Sequence, residues 1–131
     1  MLALALATIA CGKGTTASTL TPTSTSPVTE TLTTSVAPSG GSFRNFTVPA
    51  AGSVSVTLMS TNPPGIVLGL GIGVPNSTGT VCNLTFALRA TGSDTAQLTS
   101  SVDPGGYCAG VYDVGTVGDG GVGFTVRIVH P

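Results

Sequence analysis

Tryptophan is absent from this 131-residue chain, tyrosine occurs only twice, and charged residues make up 7% of the sequence for a net charge of −1. Without tryptophan, any aromatic platform for a sugar ring has to rest on a single tyrosine or phenylalanine. With so few charges there is no basic patch, which excludes nucleic acid and gives no electrostatic attraction to anionic lipid. The one histidine, His130, stands next to the last residue. A serine or cysteine nucleophile needs a positioned base, and a histidine at a fraying end is a poor one. Glycosidase chemistry needs a carboxylate pair, which only a handful of scattered acids could supply. The chain is therefore expected not to be an enzyme. Helical periodicity is missing as well. The one N-terminal apolar run, Leu2 to Ala10, is far short of the roughly 20 residues that cross a bilayer.

What is present begins with that run. Its length suits the apolar region of an export signal, although no lysine or arginine precedes it. Thr8-Ile9-Ala10-Cys11 resembles a bacterial lipobox. The resemblance implies cleavage before Cys11 and acylation of its thiol, so that the chain is held on a membrane of the bacterial cell envelope, facing the periplasm or the exterior. The alternative is an ordinary secretory signal with an incidental cysteine. From Lys13 to about Ser26 the sequence is Thr, Ser, Gly, Ala and Pro, too poor in apolar bulk to offset its ordering entropy, and it reads as a flexible tether. Val28 to Val36 is either a first strand or more tether. The expected division is a signal over 1–10, lipidated Cys11 with its tether over 11–40, and a folded domain over 41–131.

After Pro38-Ser39-Gly40-Gly41 the pattern sharpens into strict alternation. Val54, Val56 and Leu58 share one face, as do Leu68, Leu70 and Ile72, then Leu84, Phe86 and Leu88, then Val122, Phe124, Val126 and Ile128. Period 2 with one apolar face marks half-buried strands. Gly/Pro turns at Asn62-Pro63-Pro64-Gly65 and Asp103-Pro104-Gly105-Gly106 punctuate them. Seven or eight such strands predict an all-β fold: a single antiparallel jelly-roll-like β-sandwich.

Three cysteines are an odd number for an exported protein. Acylation of Cys11 leaves Cys82 and Cys108 to pair in an oxidising compartment, the alternative being two unpaired buried thiols. Parity raises a difficulty. Cys108 falls on the Gly110/Tyr112 face, which points outward, whereas Cys82 shares parity with Leu84 and Phe86, which are expected inside. A bridge needs compatible directions. Either Cys82 precedes the regular strand or a bulge shifts the register. Gly69, Gly71 and Gly73 line the outer face of their strand. Pro75 follows with no helix behind it, so a nucleotide loop is excluded. The strip is expected instead to accept a neighbouring backbone or a large side chain.

Phe43-Arg44-Asn45-Phe46-Thr47-Val48 with Gly52-Ser53-Val54-Ser55-Val56-Thr57-Leu58, the run Asp103-Pro104-Gly105-Gly106-Tyr107-Cys108-Ala109-Gly110-Val111-Tyr112, and Gly123-Phe124-Thr125-Val126-Arg127-Ile128 together resemble bacterial pre-peptidase C-terminal domains over Ser42 to Val129. The resemblance implies a small β-sandwich of the kind appended to secreted proteases, some members of which bind collagen or calcium. Within these 131 residues no protease segment is expected beside it, and no acidic cluster matches a calcium site of that family.

Tyr107 shares parity with Ala109 and Val111 and is expected in the core. Tyr112, five residues on, points the other way and is the candidate ligand-binding residue. Asp113 and Asp119, with Asp103 at the same end, are weak candidates for calcium, which takes six to eight oxygens; turn aspartates are the alternative. No other cofactor is expected. Asn45, Asn76 and Asn83 open N-x-Ser/Thr sequons, read as chance in a chain rich in Ser and Thr. The expected function is non-catalytic: a membrane-anchored binding module displayed toward an envelope protein or polysaccharide. The alternatives are a structural assembly subunit of the cell surface or an accessory module to a secreted hydrolase.

Overall fold

The alternating segments close into two sheets because each strand has one apolar face and only another such face can cover it. The computed structural model describes residues 26–131. The signal segment, Cys11 and the first part of the tether lie outside the described residues. Eight strands follow in order: β1 (Val28–Val36), β2 (Gly41–Val48), β3 (Gly52–Asn62), β4 (Leu68–Pro75), β5 (Cys82–Ala90), β6 (Leu98–Val102), β7 (Gly105–Tyr112) and β8 (Val122–His130). One antiparallel sheet runs β1-β8-β3-β6 and the other β2-β7-β4-β5. Successive strands thus alternate between the two sheets, only β4 and β5 being consecutive in one, as in an eight-stranded jelly roll.

The core lies between the sheets. Val54, Val56 and Leu58 of β3 meet Leu68, Leu70 and Ile72 of β4, with Val122, Phe124, Val126 and Ile128 of β8 and Ala109 and Val111 of β7 completing it. Strand β8 buries every second residue along its whole length. Each fully buried Val, Leu or Ile contributes about 1.5–3 kcal/mol.

The sandwich begins earlier than position 41. Strand β1 pairs with β8 over nine residues, Val28↔His130 to Val36↔Val122, so the stretch assigned to the tether after Val28 belongs to the domain. Its apolar pattern is weak because it is an edge strand. The inward position of Glu30 is satisfied by charge: Arg44 Nε of β2 lies 2.6 Å from Glu30 Oε2, closing the open side of the sandwich. The same pairing corrects His130. It is buried in β8, not frayed, and its ring stacks on Phe46 with centroids 4.7 Å apart. Tyr107 packs against the core, and its hydroxyl donates to the Asp103 carbonyl at 2.7 Å.

Strand β5 differs most from expectation. Leu84 and Phe86 are exposed, not core. The register against β4 shifts between Ile72↔Phe86 and Gly73↔Leu84, leaving Thr85 as a bulge. Phe86 and Leu88 keep the inward parity of Ile72 and Leu70, but at the sandwich edge Phe86 finds no cover. Beyond the bulge Leu84 and Cys82 turn to the outer face, where Cys108 already points.

That bulge resolves the cysteine parity, and the Cys82–Cys108 disulfide is formed, with Cα atoms 5.8 Å apart. It joins β5 to β7, strands separated in the sheet by β4. The start of β5 reaches across by riding over the outer side of Gly73, where a Cβ would collide with the Asn83 carbonyl. In the chain-entropy model, closing a loop of 26 residues contributes about 3.5 kcal/mol. Replacing both cysteines (Cys82→Ser with Cys108→Ser) is expected to lower the unfolding free energy by about that amount in a urea titration. Gly73→Val is expected to lower it as well and to leave the two thiols open to alkylation without reductant.

Candidate functional site

The outer face of the β2-β7-β4-β5 sheet is where the sequence-selected residues meet. Three of the four outward positions of β4 are glycines, and each is covered differently. The Tyr112 ring lies on Gly69, Leu84 sits over Gly71 with its methyl carbons 2.7 Å from where a Cβ would be, and the β5 backbone crosses Gly73. The strip accepts both a large side chain and a neighbouring backbone, as its emptiness predicts. Tyr112 is on the outer face, as parity requires, but half-buried because its ring lies down on Gly69.

Beside the tyrosine runs an open groove of about 260 Å³, bounded by Gly41, Phe43 and Tyr112 on one side and by Val81, Cys82 and Leu84 on the other. Phe43 is on this face because it pairs with Gly110, whose missing side chain gives it room. The second wall depends on the Pro75–Val81 loop. Asn76 organises that loop: its Oδ1 accepts from the backbone N–H groups of Thr80 and Val81 at 2.8 and 3.1 Å. Asn45 Nδ2 of β2 donates to the Gly79 carbonyl at 3.0 Å, holding the loop over the sheet. Two asparagines read from the sequence only as chance sequons therefore shape the groove. Only Asn76 carries a local signal, since an Asn four residues before the amide it caps is a turn device; the Asn45 bond spans 34 residues of sequence.

None of the residues lining the groove is Asp, Glu, His, Lys or Arg. Its chemistry is apolar and aromatic, edged by Ser42 and Thr80 and by the Tyr112 hydroxyl. Such a surface can hold an uncharged ring or an apolar side chain.

The aspartates do not assemble with it. Asp103 and Asp113 lie at opposite ends of β7, before Gly105 and after Tyr112, so the shared end expected for them is not found. Both carboxylate oxygens of Asp113 are occupied by backbone. Oδ2 accepts from Ser39 N–H at 2.8 Å, and Oδ1 accepts from the N–H groups of Gly115, Thr116 and Val117 at 2.7, 2.9 and 3.0 Å. This is a turn aspartate that ties the β7–β8 loop to the β1–β2 turn. Asp119 is exposed in that loop. Among the described residues no three His, Cys, Asp or Glu side chains form a group that could hold a metal ion.

No family model matches the chain, and no curated protein matches it in sequence.

The Ser39 N–H, followed by those of Val117, Gly115 and Thr116, holds the Asp113 carboxyl below its ordinary value of 3.8, against an opposing effect of burial. A folded-state pKa below the unfolded one means that the contribution is complete above the unfolded value and is lost as pH falls through the folded one. Asp113→Asn is accordingly expected to melt below the parent at pH 7, and the gap in Tm to close progressively below about pH 4. A gap that stays constant down to about pH 2 would show that the charge is not what holds the loop.

Proposed function

We propose that this chain is a non-catalytic binding module of the bacterial cell envelope, tethered through acylated Cys11 and presenting the groove beside Tyr112 to an envelope protein or polysaccharide. The observation that carries the reading is the groove itself. On an outer sheet face rich in small residues, Phe43, Val81, Leu84 and Tyr112 converge on one concave, uncharged strip. Burying such side chains in the absence of a partner would be the default for a soluble surface.

The groove is small beside the 300–1,000 Å³ typical of cofactor and drug-sized ligand sites. It suits a single sugar ring, whose apolar face lies on an aromatic one, or a single projecting side chain of a protein. The pre-peptidase C-terminal resemblance agrees with an exported, displayed module. The disulfide agrees with an oxidising compartment. Thr8-Ile9-Ala10-Cys11 supplies the anchor, and the Ser/Thr/Pro segment after it gives the module reach from the membrane.

Tyr112→Ala and Phe43→Ser are each expected to reduce retention on envelope polysaccharide or envelope-protein fractions at least tenfold, with near-parental retention for Ser100→Ala on the other sheet. Because Tyr112 also covers Gly69, the loss has to appear at a temperature where the variant is still folded by circular dichroism. Unchanged retention by both variants sinks the groove as the site. For the anchor, mass spectrometry of the mature protein is expected to find a diacylated or triacylated N-terminal Cys11. An intact Met1 end would remove the membrane from the reading.

A further inference from the structure

His130 is the buried titratable side chain that the groove leaves unused. It is 4% exposed, and its two ring nitrogens face two different oxygens. Nδ1 lies 2.9 Å from the Pro131 carbonyl oxygen. Nε2 lies 3.7 Å from Glu30 Oε1, sealed from solvent and without a hydrogen-bond partner among the described residues. A carbonyl and a carboxylate only accept hydrogen bonds, whereas a neutral imidazole has one donor and one acceptor nitrogen. Either neutral tautomer therefore turns a lone pair onto an oxygen. With the proton on Nδ1, the Nε2 lone pair faces the Glu30 carboxylate. With the proton on Nε2, the Nδ1 lone pair faces the Pro131 carbonyl. Only the imidazolium has a donor for each oxygen.

We propose that His130 is a proton-operated clasp on strand β1: the charged ring draws Glu30 against the end of β8, and loss of the proton loosens β1 from the sandwich. This goes beyond the groove reading and does not depend on it. Glu30 is the bridge, since its Oε2 accepts from Arg44 Nε of β2 while its Oε1 faces the ring. Strand β1 is what such a bridge can control. It is an edge strand with β8 as its sole hydrogen-bonded neighbour. Of its nine residues only Val36, at the end away from the clasp, is buried. At the clasp end Val28 pairs with His130 and is 45% exposed. A segment with so little burial is one that opens locally without global unfolding. The released strand is the one that joins the domain to the Ser/Thr/Pro segment.

The groups around the ring are few. Arg44 opposes a second cation, but its side chain is 45% exposed and its guanidinium is already paired with the other carboxylate oxygen, so solvent screens it. Burial also opposes the charge. Against both stand a carboxylate and a carbonyl, one for each nitrogen, of which a neutral ring satisfies only one. Strand β7 contributes Tyr107, which stacks on Phe46 and turns its hydroxyl to the carbonyl of Asp103, itself exposed. Strand β3 carries no charged or titratable residue. Arg127, the other charged residue of β8, reaches the Asp94 carbonyl instead. A contribution that requires the charged ring is complete while the ring is protonated and is lost as pH rises through its titration.

The test uses the full chain with Cys11→Ser, so that no acyl chain contributes. Native-state hydrogen exchange is compared at about pH 5.5 and about pH 8, which bracket the range in which an imidazole changes charge. After division by the intrinsic exchange rate at each pH, protection of the Val28–Leu32 amides is expected to fall about tenfold at the higher pH, with Leu68–Ile72 of β4 unchanged. The fall is expected to follow the chemical shift of the His130 ring, the one histidine in the chain. Glu30→Gln is expected to hold β1 at its high-pH protection at both pH values. His130→Phe keeps a ring on Phe46 without a titrating group and is expected to remove the pH dependence with the fold intact. Equal β1 protection at both pH values in the parent, or a pH dependence that survives either substitution, would overturn the proposal.

Discussion

The outer side of β4 has to be empty, and most of what distinguishes this sandwich depends on that. A strand in the middle of a sheet ordinarily presents side chains to both faces. Here Leu68, Leu70 and Ile72 fill the inner face, and Gly69, Gly71 and Gly73 leave the outer one bare. Three consequences follow in space. Tyr112 lies flat on Gly69, Leu84 folds down onto Gly71, and the β5 backbone climbs over Gly73 to bring Cys82 within bonding distance of Cys108. A methyl group at Gly73 would block the crossing, and without the crossing the disulfide and one wall of the groove have no support. The conformational entropy that glycine costs a strand is exchanged for close approach at three successive places.

The two open sides of the sandwich are managed in opposite ways. On the β1/β2 side, Glu30 and Arg44 face one another across the gap between sheets, and His130 lies behind them, 3.7 Å from Glu30 through Nε2 and stacked on Phe46. Charge and an aromatic stack seal a seam that aliphatic residues do not fill. That seam also borders the point where the chain enters the domain, since β1 is the first strand after the Ser/Thr/Pro segment. On the β5/β6 side the closure is polar and local. The Gln97 side chain takes the place of a strand residue beside β3, accepting from Leu58 N–H at 2.8 Å and donating to the Thr91 carbonyl at 2.7 Å. Strand β6 begins directly after this residue, at Leu98.

How much of this was readable in the chain follows from which rule each element obeys. The all-β class, the strand number and the inward residues Val54 to Leu58 of β3, Leu68 to Ile72 of β4 and Val122 to Ile128 of β8 are legible because period 2 holds over those stretches; β3 breaks it only after Leu58. The Cys82–Cys108 pair is legible, and parity also requires either a bulge or a Cys82 that precedes the regular strand; the structure has the bulge. Strand β1 is only half legible: an edge strand buries little, and Glu30 stands where an apolar residue would announce it. Leu84, Phe86 and Leu88 mislead for a related reason. Their alternation is perfect in sequence, and one extra residue, Thr85, sends Leu84 to the opposite face. The roles of Asn45, Asn76 and Asp113 are tertiary or turn-based, and nothing in residue type alone separates a sequon or a calcium ligand from an amide-capping side chain.

The regular and irregular parts of the chain accordingly carry different information. Uninterrupted alternation specifies a core and would do so equally in many sandwiches with unrelated roles, since a fold hosts functions without determining them. Every feature that makes this surface particular arises where the alternation fails: glycines in place of outward side chains, a bulge that turns Leu84 and Cys82 outward, and a loop held by asparagines. These departures are mutually dependent, because the bulge is of no use without the empty strip and the loop could not lie over the sheet without the crossing at Gly73. These irregularities converge on one concave apolar strip, and the proposed binding role rests on that strip.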